Sequence, residues 1–295
     1  ALSASAAAAS PAAPSSTPEG CQLRQKMGKT SGAKSRDVNG WSDVRGAMQS
    51  QSRRAAGSRN GRTTPYSSVS MDMDAGDFVA IVGPSGCGKS TLMNILAGFD
   101  TLSSGEIYLD GEVLVAPGTK PTPGADRVVV FQQGALFPWM TVLENVTYGL
   151  LRQRQMGKAQ AKAKGMEFLE RSGNLGRIAN SYPAQLSSGM QRRVEIIRAL
   201  INDPKILLLD EPFRAMDTVN KNRMHQHLLK IFQDNRKTII FITHDLEEAL
   251  FLADRVIVMT TRPGTLKLDI AVDLPRPRDQ SIMASAAYIA LKQQA

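Results

Sequence analysis

No apolar run in the 295-residue chain approaches the eighteen or so residues that cross a bilayer as a helix, which excludes a helical membrane span. Cysteine is nearly missing: Cys21 in a polar stretch and Cys87 in a glycine-rich one cannot build a disulfide framework, and such sparing use fits a reducing compartment. Acidic residues are scarce only at the start. Residues 1–66 hold 10 Lys and Arg against 3 acids, so that stretch carries +7 of the total +9. The remainder has 26 against 24, is close to neutral and shows no basic stripe, which argues against nucleic acid as a partner. Periodic apolar positions are also missing before about residue 65. Composition therefore predicts two regions: a disordered Ala/Ser/Arg-rich tail or organelle transit-like segment over 1–64, and a folded domain over 65–295.

What is present begins with Gly83-Pro84-Ser85-Gly86-Cys87-Gly88-Lys89-Ser90-Thr91, a full match to the phosphate-binding pattern G-x-x-x-x-G-K-[ST]. Gly86 and Gly88 allow a tight bend that aims successive N–H groups at phosphate oxygens. Lys89 adds a cation near the β- and γ-phosphates, and the Ser90 hydroxyl suits Mg²⁺, which takes few protein oxygens. The context agrees, because Phe78–Val82 reads as a short buried strand and Thr91–Ala97 as a helix. A nucleoside triphosphate is the expected ligand. Cys87 reads either as a thiolate-prone group beside Lys89 or as a small residue filling the loop.

Further on, Val69–Met73, Gly105–Gly111 and Val128–Phe131 read as strands, and the last delivers Gln132, whose amide oxygen can face Mg²⁺ or a water. Thr141-Val142-Leu143-Glu144 has capping-box spacing and predicts a helical stretch to about Asn180, with Trp139 just before it as core or docking contact. Ser187, Ser188, Gly189 and Met190 open a helix whose Val194, Ile197 and Ile201 share a face. Lys205–Glu211 is a continuous apolar run ending in two carboxylates, a strand buried on both faces. Asp210 there suits a metal through a water, and Glu211 suits the attacking water. A helix with Met224, Leu228, Ile231 and Phe232 on one face follows, with His225 and His227 on different sides. Thr238–Ile242 is another buried strand, ending at His244, where a γ-phosphate contact is expected. Asp245–Glu248 repeats the capping-box spacing, and two strands, Arg255–Met259 and Leu266–Ile270, close the sheet.

The phosphate loop, Gln132, Leu186–Met190, Leu207–Pro212, Ala215-Met216-Asp217 and Thr243-His244-Asp245 together resemble, in order and spacing, the nucleotide-binding subunit of ATP-binding cassette (ABC) transporters. Gly124–Arg127, Phe137–Val146, Arg262–Gly264 and Asp273–Asp279 look most like the ATPases of nitrate, sulfonate and taurine importers. The resemblance implies an α/β P-loop ATPase fold: a mostly parallel sheet core, an antiparallel β subdomain, and a helical subdomain inserted at about 138–190. It implies ATP and Mg²⁺ as cofactors, with Glu211, His244 and Lys89 catalytic and Ser90, Gln132 and Asp210 around the metal. It also implies a second cassette, identical or different, packed head to tail so that Ser187–Met190 act in trans and Asp217 links the sites. A transmembrane permease subunit would contact the segment Gln132–Trp139, with a solute-binding protein involved indirectly. The location implied is peripheral, on the cytoplasmic face of a membrane or, if the start is a transit segment, on a plastid inner membrane.

Several positions depart from the family pattern. Ser188 replaces a usual Gly and is expected to crowd the phosphate or force a costly backbone angle. Arg192 replaces Gln, and Arg214 replaces Gly. No aromatic stands at the adenine-stacking position, the region around Asn60 being polar and Tyr66 too near the strand. Ser188 and the missing aromatic support an alternative, a non-catalytic or regulatory cassette, which the intact Lys89, Asp210, Glu211 and His244 oppose. A soluble cassette of DNA repair or translation is disfavoured, because there is no long heptad insertion and no second cassette.

Overall fold

The computed structural model describes residues 21–23, 66–154, 156–214, 216–235, 237–261 and 264–295. Its centre is a seven-stranded sheet in the order β2-β11-β10-β4-β9-β8-β7. The strands are β2 (Tyr66–Ser68), β4 (Phe78–Val82), β7 (Arg127–Val130), β8 (Ile206–Asp210), β9 (Thr238–Thr243), β10 (Arg255–Met259) and β11 (Gly264–Ala271). Every neighbouring pair is parallel except β10 with β11. Strands buried on both faces need apolar side chains on both, which is why β4, β8 and β9 lack polar alternation.

Alternate residues of those strands feed two cores. Phe78, Ala80, Leu207, Leu209 and Phe241 pack with Phe232 and Leu228 of α5 (Thr218–Asn235) and Leu250 of α6 (Leu246–Leu252). Val79, Ile81, Leu208, Ile240 and Ile257 pack on the other face with Leu92 and Met93 of α1 (Lys89–Leu96). Small antiparallel pairs join this second core through β3 (Met71–Met73), β5 (Ile107–Leu109) and β6 (Glu112–Val115).

A third core is helical. Val142, Val146 and Leu150 of α2 (Val142–Arg152) meet Ala161 and Leu169 of α3 (Lys158–Arg171) and Val194, Ile197 and Ile201 along α4 (Ser188–Leu200). The predicted cap is there: Thr141 accepts from the Glu144 amide and Glu144 reaches back to the Thr141 amide, a box worth about 1 kcal/mol. The helical stretch expected to about Asn180 consists of α2, α3 and a 3₁₀ turn at Gly176–Ile178. A last helix, α7 (Ala286–Gln294), lies on α6, where the Tyr288 hydroxyl donates to the Glu247 carbonyl.

Within the start expected to be disordered, the described residues are Cys21–Leu23, and they depart from that expectation. Cys21–Leu23 form β1 and pair antiparallel with β3, Leu23 opposite Met71 and Cys21 opposite Met73. Backbone pairing to a sheet edge needs no apolar period, so composition does not betray it. The remainder of 1–64, including the adenine-stacking region around Asn60, lies outside the described residues, as do Ala215, Arg262 and Pro263.

Candidate functional site

Four loops leave the carboxyl ends of parallel strands that sit side by side in the sheet: the phosphate loop after β4, His244 after β9, Glu211 after β8 and Gln132 after β7. That edge is where α/β sheets hold ligands. The phosphate loop is bent as the sequence requires. Gly86 has φ +81° and Gly88 φ +104°, and both lie in the left-handed region that glycine alone tolerates well. Gly83 is needed for a different reason, since a Cβ there would stand 2.7 Å from the Met259 carbonyl and 2.8 Å from Cys87 Sγ. Cys87 is fully buried in the loop, with the Lys89 ammonium 3.7 Å from its Sγ. Lys89 is 6 % exposed, and its ammonium turns into the loop, donating to the carbonyls of Gly83 at 2.7 Å and Pro84 at 3.1 Å.

Ser90 and Asp210 come from different elements and meet, with Ser90 Oγ donating to Asp210 Oδ1 at 3.4 Å. Burial pushes the Asp210 carboxyl above the usual carboxylate range; the Ser90 hydroxyl pulls it back, the Glu211 charge adds to the rise and Lys89 opposes it. A half-buried carboxylate beside the Ser90 hydroxyl is a hard-oxygen donor set suited to Mg²⁺. Gln132 is not part of that contact. It is exposed at the end of β7, and its backbone carbonyl is what is held, accepting from Arg192 Nη2 at 2.7 Å.

Glu211 occupies a strained position at φ +40°, where its backbone N–H donates to the Ile242 carbonyl at 2.9 Å. One carboxylate oxygen lies 3.5 Å from His244 Nδ1; the other accepts from Arg214 Nη1 at 3.0 Å. The structure therefore brings Glu211 and His244 together, and adds Arg214, which the sequence marks only as a departure. Beneath His244 runs a buried chain: His225 Nε2 bonds Glu248 Oε1 at 2.7 Å, the Thr243 hydroxyl donates to Glu248 Oε2, and Lys221 lies 3.3 Å from the same residue. Burial works against the Lys221 charge, but Asp245 and Glu248 outweigh it and hold its pKa up. The capping box expected at Asp245–Glu248 is thus only half formed. Asp245 caps α6 through the amides of Glu247 and Glu248, while the Glu248 side chain turns inward to His225.

Ser187 caps α4 by accepting from the Met190 amide, and Ser188 is its first helical residue. Ser188 is not among the positive-φ residues, so the expected backbone cost does not arise: a first-turn helical φ suits any L-residue. The cleft of about 550 Å³ that Ser188 lines holds Gln132, Arg192, Glu195, Arg214 and Met216, and no phosphate-loop residue. Asp217 caps α5, accepting from the Asn220 amide at 3.0 Å and its side-chain amide at 2.7 Å, which draws its pKa down. Among the described residues no helix is long and apolar enough to cross a membrane. Trp139 is 70 % exposed beside a groove of about 380 Å³ lined by Phe131, Ala135, Phe137, Tyr148 and Arg198.

Comparison with known proteins points one way. The ABC transporter family pattern matches residues 66–214. The nitrate import ATP-binding protein NrtD of a Synechocystis species is 44 % identical over 217 residues, 74 % of this chain and 79 % of that one. An aliphatic sulfonates import ATP-binding protein SsuB of Bacillus cereus is 39 % identical over 223 residues, 76 % of this chain and 84 % of that one. Among solved structures, the dimeric ATP-binding cassette MJ0796 in a post-hydrolysis state bound to ADP and Pi is 32 % identical, with a TM-score of 0.60 over 72 % of this chain and 92 % of its own.

Proposed function

Because the chain belongs to the ABC transporter family, as an ATP-binding and ATP-hydrolysing subunit, we propose that it powers import of a small anion through a separate membrane subunit. The observation that carries this reading is the arrival of the phosphate loop, Gln132, Glu211 and His244 at one sheet edge from four neighbouring parallel strands. The nitrate and sulfonate importers named among the relatives supply the solute class.

In this proposal the loop Gly83–Thr91 cradles the phosphates of ATP with backbone N–H groups, and Lys89 swings from its carbonyls to the β- and γ-oxygens. Mg²⁺ would neutralise the charge between those phosphates, held by Ser90, by Asp210 through a water, and by Gln132. Glu211 orients the attacking water and accepts its proton, while His244 donates to the γ-phosphate. Ser187–Met190, at the N-terminus of α4, meet the γ-phosphate of a second cassette, where unpaired N–H groups favour anions. Asp217, capping α5 on the surface, faces that partner. The domain proposed is 65–295, with the helical insert at about 138–190. The exposed Trp139 and the groove beside it take the membrane subunit, which sets the chain as a peripheral membrane component. Of the two effects expected of Ser188, backbone strain lends the non-catalytic alternative no support, since Ser188 is not among the positive-φ residues.

Light scattering on the full chain carrying Glu211→Gln, with and without MgATP, tests the shared site. A dimer that appears only with nucleotide is expected. A nucleotide-bound monomer contradicts it.

A further inference from the structure

Arg192 and Glu195 play no part in the chemistry above, yet they form a buried ion pair. Arg192 is 8 % exposed and Glu195 3 %, with Arg192 Nη1 2.5 Å from Glu195 Oε2. Desolvating two charges is costly unless the remaining donors and acceptors are satisfied. Here they are satisfied by a single loop. Nη1 also donates to the Phe131 carbonyl at 2.7 Å, Nη2 donates to the Gln132 carbonyl at 2.7 Å, and Glu195 Oε1 accepts from the Ala135 amide at 2.7 Å. One turn further along α4, Arg198 donates to the Ala135 carbonyl at 2.8 Å. The loop carrying Gln132 is thus bonded through its backbone to the helix that begins with Ser187–Met190, and the same loop lines the groove beside Trp139.

We propose that Arg192 and Glu195 are positioning residues that clamp the loop 131–135 to α4, so that Gln132 and Ser187–Met190 move as one body. An uncharged side chain at 192, the usual Gln, cannot offer donors to both carbonyls and still neutralise Glu195. The arrangement is therefore particular to a chain that carries the pair. Displacement of the loop by a docked membrane subunit would be passed directly to Ser187–Met190. For Gln132 the inference rests on its proposed place near Mg²⁺.

The test uses the full chain with Arg192→Met combined with Glu195→Gln, Arg192→Lys as a milder variant, and Gln132→Ala as control. The double variant removes both charges of the pair, Arg198 keeps its bond to the Ala135 carbonyl, and Gln can still accept from the Ala135 amide, so the fold should persist. Hydrogen exchange without nucleotide should then rise about tenfold or more at the amides of 131–136, with little change in α2 or α5. The Mg²⁺ concentration for half-maximal ATP hydrolysis should rise about fivefold or more, with the KM for ATP within about twofold and Arg192→Lys in between. A purely structural pair would lower thermal stability and leave the Mg²⁺ dependence alone. Unchanged exchange in both variants overturns the clamp. So does an unchanged Mg²⁺ dependence when Gln132→Ala shifts it. If Gln132→Ala shifts nothing, the assignment of Gln132 fails, and the exchange result alone decides whether the clamp stands.

Discussion

His227 gives a stability prediction that can be worked through from the structure. It sits half-buried on α5 beside Arg193 and Lys230, and its enclosed Nε2 has no hydrogen-bond partner among the described residues. Burial, then the two cations, push its pKa from 6.5 to about 4. The imidazole is therefore neutral in the fold at pH values where the unfolded chain already binds a proton. Stability is intact above the unfolded value and is lost as pH falls from 6.5 toward 4. Linkage gives a loss of about 2 kcal/mol at about pH 5 and about 3 kcal/mol at about pH 4. Other titrating groups contribute too, so the assay is a difference of differences. Urea unfolding of the wild type and of His227→Gln is measured near pH 7.5 and near pH 5. The wild type should lose about 2 kcal/mol more than the variant between them. Equal losses, within about 0.3 kcal/mol, would refute the reasoning and mean that His227 reaches solvent or a partner when protonated.

Two further predictions bear on turnover. Ser188→Gly should leave the ATPase rate within about twofold and cost about 0.5–1 kcal/mol of stability, because a first-turn helical residue is replaced by glycine; a gain of about tenfold in turnover would revive the non-catalytic reading. Arg214→Gly frees the Glu211 carboxylate from a half-exposed ion pair worth about 0.2–1 kcal/mol, so kcat at low salt should rise about 1.4- to 5-fold and the wild-type rate should climb toward it as salt is added. A lower kcat in the variant would instead give Arg214 a part in the reaction.

Much of this architecture could be read from the chain because its signals are local. The phosphate loop is a contiguous run of nine residues whose glycines are demanded by its own backbone, and β8 announces itself as Ile206–Leu209 without a polar interruption. The box at Thr141 and Glu144 likewise closes over three residues. What could not be read depends on distant partners. Glu248 has capping-box spacing, but His225, 23 positions earlier, offers it a buried bond and takes the side chain inward. Arg192 and Glu195 stand at i and i+3 on a helix, a spacing most often found on solvated faces; only the return of the loop 131–135, some 60 residues earlier, buries them. The pairing of β1 with β3 is a three-residue backbone ladder, too short to show a side-chain period in the sequence. The position of Ser188 was legible as a helix start, while the ease with which the helix accepts a side chain there needed the backbone angles.

The most direct test of the account is the fate of bound ATP in Glu211→Gln. Radiolabelled ATP is incubated with Mg²⁺ and either the wild type or the variant, and binding and phosphate release are measured on the same samples. The account predicts that the variant binds ATP as tightly as the wild type, within about threefold, and releases phosphate about 10²- to 10⁴-fold more slowly, because only the group that orients the water has changed. Undiminished hydrolysis in a variant that still binds would contradict it, and would move the catalytic role away from the mouth of β8.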